Sequence, residues 1–105
     1  MDESRMLELF ELARQTGTIK KGVNETTKAI ERNSAKVVAF AKDVEPPEIV
    51  MHLRPLCEEK NIPCIEISSK KELGRIAGIN VACAAVAVTD FGKGTDLAKK
   101  LIESQ

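Results

Sequence analysis

Apolar positions recur along this chain with two periods, and the switches between them outline alternating helices and strands. In residues 3–16, Met6, Leu9, Phe10 and Ala13 recur at helical spacing with charges between them, and Gly17 suits the position just past a helix end. "TIKKG" predicts a short edge strand. "NETTKAIER", Asn24 to Arg32, predicts a helix with Thr27 and Ile30 on one side and Asn33 leaving it in the left-handed conformation. Thr26 and Thr27 are middling helix formers, so tertiary contacts must support this helix. "KVVAFAKD", Lys36–Asp43, is a nearly continuous apolar run of strand length, which predicts a central strand covered on both faces.

Pro46 and Pro47 then fit the start of a helix, where a missing N–H costs nothing. That helix is expected through "PEIVMHLRPLCEEKN" with Ile49, Val50, Leu53, Leu56 and Cys57 inward and a kink or break at Pro55. "IPCIEI" is the next strand. "SSKKELGRIAG" opens with a capping box, Ser69 and Glu72, and stops at Gly78. "ACAAVAV", Ala82–Val88, reads as a strand of small residues that lets helices approach closely. "DFGKGTD" is a turn, and "TDLAKKLIESQ" a final helix with Leu97, Leu101 and Ile102 inward. The order αβαβαβαβα points to an α/β sheet sandwiched between helices. Without repeat, linker or low-complexity segment, residues 1–105 read as one domain.

Composition narrows the function. The chain has no Trp or Tyr and three Phe, so its core must be aliphatic and it has few platforms for stacking bases. The longest apolar run, Val81–Val88, is too short to cross a bilayer, and "MDESRMLELF" is acidic before its first Arg, unlike a secretory leader. Cys57, Cys64 and Cys83 are odd in number, lack CxxC spacing and lie in apolar context, which favours a reduced, cytoplasmic chain with structural cysteines. His52 is the only histidine, and a zinc site would need it to join the dispersed cysteines. No cofactor is expected.

Net charge is zero, yet its distribution is uneven. Segment 18–32 is net +2 through Lys20, Lys21, Lys28 and Arg32, and segment 68–75 is net +2 through Lys70, Lys71 and Arg75. Segments 1–17 and 42–61 are each net −2. The two basic islands make one patch only if they meet in space.

Catalysis finds no nucleophile–base pair here. "FGKGT" lacks the full phosphate-loop pattern and "GRIAG" lacks the dinucleotide fingerprint. "GVNETTK" offers more. Asn24 and Lys28 share a helix face, with Glu25 beside them. Asn24 could simply be an N-cap, with Glu25 favouring the dipole and Lys28 solvated. The same trio also suits a base edge: amide and ammonium can donate to guanine O6 and N7, while the carboxylate accepts from base N–H groups. Regular A-form RNA hides its major-groove edges, so such a target would be a distorted one, a bulge, internal loop or kink.

"GVNETTKAIER", "DVEPPEIVMHL", "LCEEKNIPCIEISSKKELGRIAG" and "INVACAAVAV" follow one another as in the archaeal large-subunit ribosomal proteins of the seven-Ae type. Over roughly residues 17–90 the chain resembles this kink-turn-binding family, which includes the human spliceosomal fifteen-kilodalton protein and the ribosomal thirty-e proteins. The resemblance implies a three-layer α/β/α sandwich around a four-stranded mixed sheet. It implies a non-enzymatic scaffold for kink-turns, in which a three-nucleotide bulge adjoins tandem sheared G·A pairs. It further implies partners in the ribosome, box C/D and H/ACA ribonucleoproteins and ribonuclease P, with a free monomer and no membrane.

By position, Asn24, Glu25 and Lys28 match residues that read the G·A guanines. Gly22 matches a point of close backbone approach, and Lys20 and Lys21 suit phosphates. Glu45 and Ile49 match the lining of a pocket for the extruded bulge nucleotide, and Lys70 a basic contact to it or its backbone. Ile79, Asn80, Val81 and Ala82 fall in the loop that packs on the bulged bases. The resemblance thus places both basic islands on one RNA-facing edge. Relatives commonly carry Glu or a basic residue at Asn80 or Val81 and Pro at Ala82, so this loop departs from the pattern. The chain also starts later than longer relatives that have an extra N-terminal strand. The alternatives are the same fold as a protein-interaction module, and a small α/β enzyme or nucleotide-binding module using "FGKGTD" or the "GRIAG" turn.

Overall fold

The computed structural model describes the backbone of residues 3–79 and 81–103, and side chains over 5–79 and 81–100. The elements are α1 (Glu3–Thr16), β1 (Thr18–Lys21), α2 (Val23–Glu31), β2 (Val37–Ala41), α3 (Glu48–Met51), α4 (Leu53–Glu59), β3 (Cys64–Ile67), α5 (Lys70–Ile76), β4 (Ala85–Asp90), a 3-10 turn (Gly92–Gly94) and α6 (Thr95–Glu103). The sheet order is β1-β4-β2-β3. β2 pairs in parallel with β3, and β4 is antiparallel to both β1 and β2, so the sheet is mixed.

α1, α5 and α6 cover one face and α2, α3 and α4 the other, giving the expected three layers. β2 is buried at every residue, as a strand central in the order and covered twice must be. α1 delivers Met6, Leu9, Phe10 and Ala13 to the core, all fully buried, and α2 delivers Ala29 and Ile30. On the α2 side, Thr27 Oγ1 donates to Val23 O at 2.8 Å and lies 2.8 Å from His52 Nε2. The hydroxyl has one proton, so His52 must donate here, which ties α2 to the α3–α4 junction.

Several expectations change. The helix after the prolines is two helices that part at His52. Pro55 has no N–H for the Met51 carbonyl and its ring crowds that group; a new start at Leu53 puts Pro55 in a first turn, where it is tolerated. Ile49 does not face inward: it is 41% exposed, because α3 is a single turn whose Val50 alone is buried. Leu56 is only half-buried. β4 begins at Ala85, not Ala82, and continues to Asp90 alongside β1. Gly17 is needed for approach rather than for a left-handed exit, since a Cβ there would lie 2.0 Å from Asp90 O. The inward placement expected of Leu101 and Ile102 lies outside the described side chains. No helix among the described residues is long and apolar enough to cross a membrane.

Candidate functional site

β1, β2 and β3 run in one direction and β4 against them. Their carboxyl ends and the start of β4 therefore share one end of the sheet. α2, α3 and α5 all begin there, each just after a strand. In open α/β sheets this end is the usual ligand side, because the connecting loops and helix N-termini gather there. Gly22, Asn24 and Glu25 enter it from the start of α2, Glu45 and Ile49 from the turn into α3 and α3 itself, Lys70 from the start of α5, and residues 81–84 from the segment before β4.

Hydrogen bonds join these segments into a frame. Gly22 N donates to Ala85 O at 2.8 Å and Ala41 N to Ala84 O at 2.9 Å. Cys83 N donates to Lys70 O at 2.9 Å, and Lys70 N donates to Asp43 Oδ1 at 2.8 Å. Residues 83–85 thus tie the chain just before β4 to the start of α2 and the start of α5.

The N-cap of α2 is Gly22, with φ 96° and ψ 157°, and no side chain caps the helix. Asn24 is therefore not the cap that its residue type allowed; it lies in the first turn, exposed, with its amide uncommitted to the helix. Gly22 is required by its positive φ, and among the described residues beyond its two chain neighbours no atom lies within 4 Å of where its Cβ would be, so the backbone there is open to a partner. Glu25 and Lys28 are exposed, and among the described residues neither they nor Lys20 and Lys21 join a salt bridge. Lys20, Glu25, Lys28, Arg32 and Ser34 line a hollow of about 230 Å³ along α2. Three cationic donors and one acceptor-only carboxylate there can meet a surface that carries both phosphates and base N–H groups.

The second island divides. Lys70 belongs to the frame just described. Arg75 is already engaged: it pairs with Glu72 one turn earlier and with Glu11 of α1 at 3.3 Å. The bond to Arg75 holds the Glu72 carboxyl below its ordinary range, and the same bond raises Arg75. Lys71 and Arg75 line a shallow hollow of about 350 Å³ with Ile79, Val81 and Ala82. Val81, 68% exposed, and Ile49 are large apolar side chains left without cover. Asn80 lies outside the described residues. Asp43 escaped the sequence reading, because a loop carboxylate carries no spacing signal of its own, and Arg32 entered it only as a charge of the first basic island.

The turn "FGKG" is poorly suited to cradle a phosphate, because the N–H groups of Gly92, Lys93 and Gly94 are already used. Gly92 N donates to Asp90 Oδ1, Lys93 N to Thr16 Oγ1 and Gly94 N to Phe91 O, each at 2.9 Å. Among the described residues no cluster of three or more His, Cys, Asp or Glu could hold a metal ion. The cysteines are less dispersed than their spacing implied. Cys57 and Cys64 are neighbours where α4 turns into β3; their mutual influence lowers Cys57 and, with burial, pushes Cys64 up.

Comparison with known proteins gives a family and, among its many structural matches, a relative named for its partner class. The model of the ribosomal protein L7Ae/L30e/S12e/Gadd45 family matches residues 4–98. Among solved structures, the chain is similar to the Giardia lamblia 15.5kD RNA binding protein, with 31% identity and a TM-score of 0.84 over 99% of this chain and 89% of that one.

Proposed function

The chain belongs to the ribosomal protein L7Ae/L30e/S12e/Gadd45 family, and from that premise we propose that it is an RNA-binding scaffold, not an enzyme, which recognises kink-turns. In this reading Asn24, Glu25 and Lys28 read the guanines of the tandem sheared G·A pairs. Lys20 and Lys21 hold phosphates, and Gly22 admits the RNA backbone. Glu45, Ile49 and Lys70 receive the extruded bulge nucleotide, and the loop with Ile79, Asn80, Val81 and Ala82 packs on the bulged bases. The protein acts in the cytoplasm as a monomer when free. It nucleates assembly of the ribosome, box C/D and H/ACA ribonucleoproteins and ribonuclease P.

The observation that carries this reading is the unpaired Glu25. It stands exposed at the ligand end of the sheet beside lysines, with none of them neutralising it among the described residues. Against phosphate such a carboxylate would repel, whereas opposite guanine N–H donors it selects the base. Its similarity to a protein named for RNA binding supports the partner class. A gel shift comparing a kink-turn RNA with the same RNA carrying G·C in place of the G·A pairs tests the reading. The kink-turn should bind tightly and the control weakly, and Glu25→Ala or Lys28→Ala should weaken kink-turn binding by about 1–3 kcal/mol. Equal affinity for the two RNAs would sink it.

A further inference from the structure

Resting on that reading, we infer that Asp43 is a positioning residue for the extruded nucleotide: its carboxylate holds the two walls of the nucleotide pocket in register without touching the RNA. In that reading Glu45, on the turn after β2, and Ile49, in α3, supply one wall, and Lys70, the first residue of α5, supplies the other. These segments are remote in sequence, and they are joined directly by the bond from Lys70 N to Asp43 Oδ1, at 2.8 Å across 27 residues.

Ser69 serves the rest of the α5 start. Its Oγ accepts from Lys71 N at 3.1 Å and from Glu72 N at 3.4 Å. Ser69 therefore caps the helix as its sequence position implies, but it leaves the Lys70 N–H to a different partner. Asp43 supplies that partner from the neighbouring strand end, so its carboxylate is not a redundant cap. Lys70 O in turn accepts from Cys83 N at 2.9 Å, which joins the loop before β4 to the same residue. The peptide groups of Lys70 thus connect three of the segments assigned to the bulge, with Asp43 as the one side chain in the chain of bonds. A bond from N–H to a charged carboxylate is stronger than a neutral one. Without it, the turn carrying Glu45 and Ile49 is no longer tied to Lys70 through this bond, while α2 and its guanine-reading residues keep their own bond to Ala85.

The prediction is selective. It separates recognition of the bulge nucleotide from recognition of the G·A pairs, and a general loss of stability would not do so. Affinities are measured for wild type, Asp43→Ala and Asp43→Asn against two RNAs: an intact kink-turn, and the same RNA with an abasic site at the extruded position. Circular dichroism confirms that each variant is folded at the assay temperature. Asp43→Ala should bind the intact RNA about tenfold more weakly, the scale of one lost charge-assisted hydrogen bond, and bind the abasic RNA as wild type does. Asp43→Asn keeps a carbonyl acceptor of the same shape and should recover most of that loss. Equal weakening on both RNAs, or none on either, would overturn the role assigned to Asp43. Failure of wild type to prefer the kink-turn over its G·C control would instead overturn the underlying reading.

Discussion

Glu25 and Thr26 are neighbours on α2 with opposite surroundings. Glu25 stands in solvent just beyond the carboxyl end of β1, while Thr26 is fully buried and its hydroxyl has no hydrogen-bond partner among the described residues. A buried hydroxyl without a partner loses its water and gains nothing in return. Thr26→Val replaces that group with a methyl of similar shape and should stabilise the fold by about 1 kcal/mol. In a domain of this size that corresponds to a rise of about 4–8 °C in Tm, read by thermal unfolding. A fall in Tm would show that the hydroxyl has a partner in solution. Asn24 teaches a related lesson. Its residue type is among the best N-caps, and only the backbone at Gly22 decides that the cap lies two residues earlier and frees the amide.

At the scale of elements, α5 is shaped by the loop that follows it. Gly74 is buried mid-helix, where glycine costs about 1 kcal/mol relative to alanine. The compensation is proximity: a Cβ at Gly74 would lie 2.1 Å from Val81 O, so the loop before β4 rests directly on the helix backbone. Gly74→Ala must push that loop outward. It should destabilise the protein by about 1–3 kcal/mol in urea unfolding despite the better helix former, and an increased midpoint would contradict the account. The "GRIAG" stretch was legible as not a dinucleotide loop, but its first glycine shows its purpose only once Val81 is placed against it. The α3–α4 break is the reverse case. Pro55 announced it, and the chemistry of the missing N–H explains why it falls at His52 rather than at the proline itself.

For the whole molecule, zero net charge means that RNA is not drawn in by a global field. If the proposed edge contacts phosphates through Lys20, Lys21 and Lys70, binding should weaken with salt with a log–log slope of about −2 to −3, and a slope near −8 would require contacts beyond this edge. Arg75 should contribute little to that slope, because it is engaged by Glu72 and Glu11. That division of the second basic island was invisible in the sequence, where Lys70 and Arg75 belong to one run. The sequence by itself determined the order of helices and strands, the fully buried β2 and the Ser69 cap, because period, propensity and capping chemistry act over a few neighbouring residues. The strand order β1-β4-β2-β3, the late start of β4, the outward turn of Ile49 and the bond from Lys70 to Asp43 were decided only by the tertiary structure. Each depends on partners tens of residues away, and a local pattern records that a side chain can be buried or paired, not which neighbour arrives to do it.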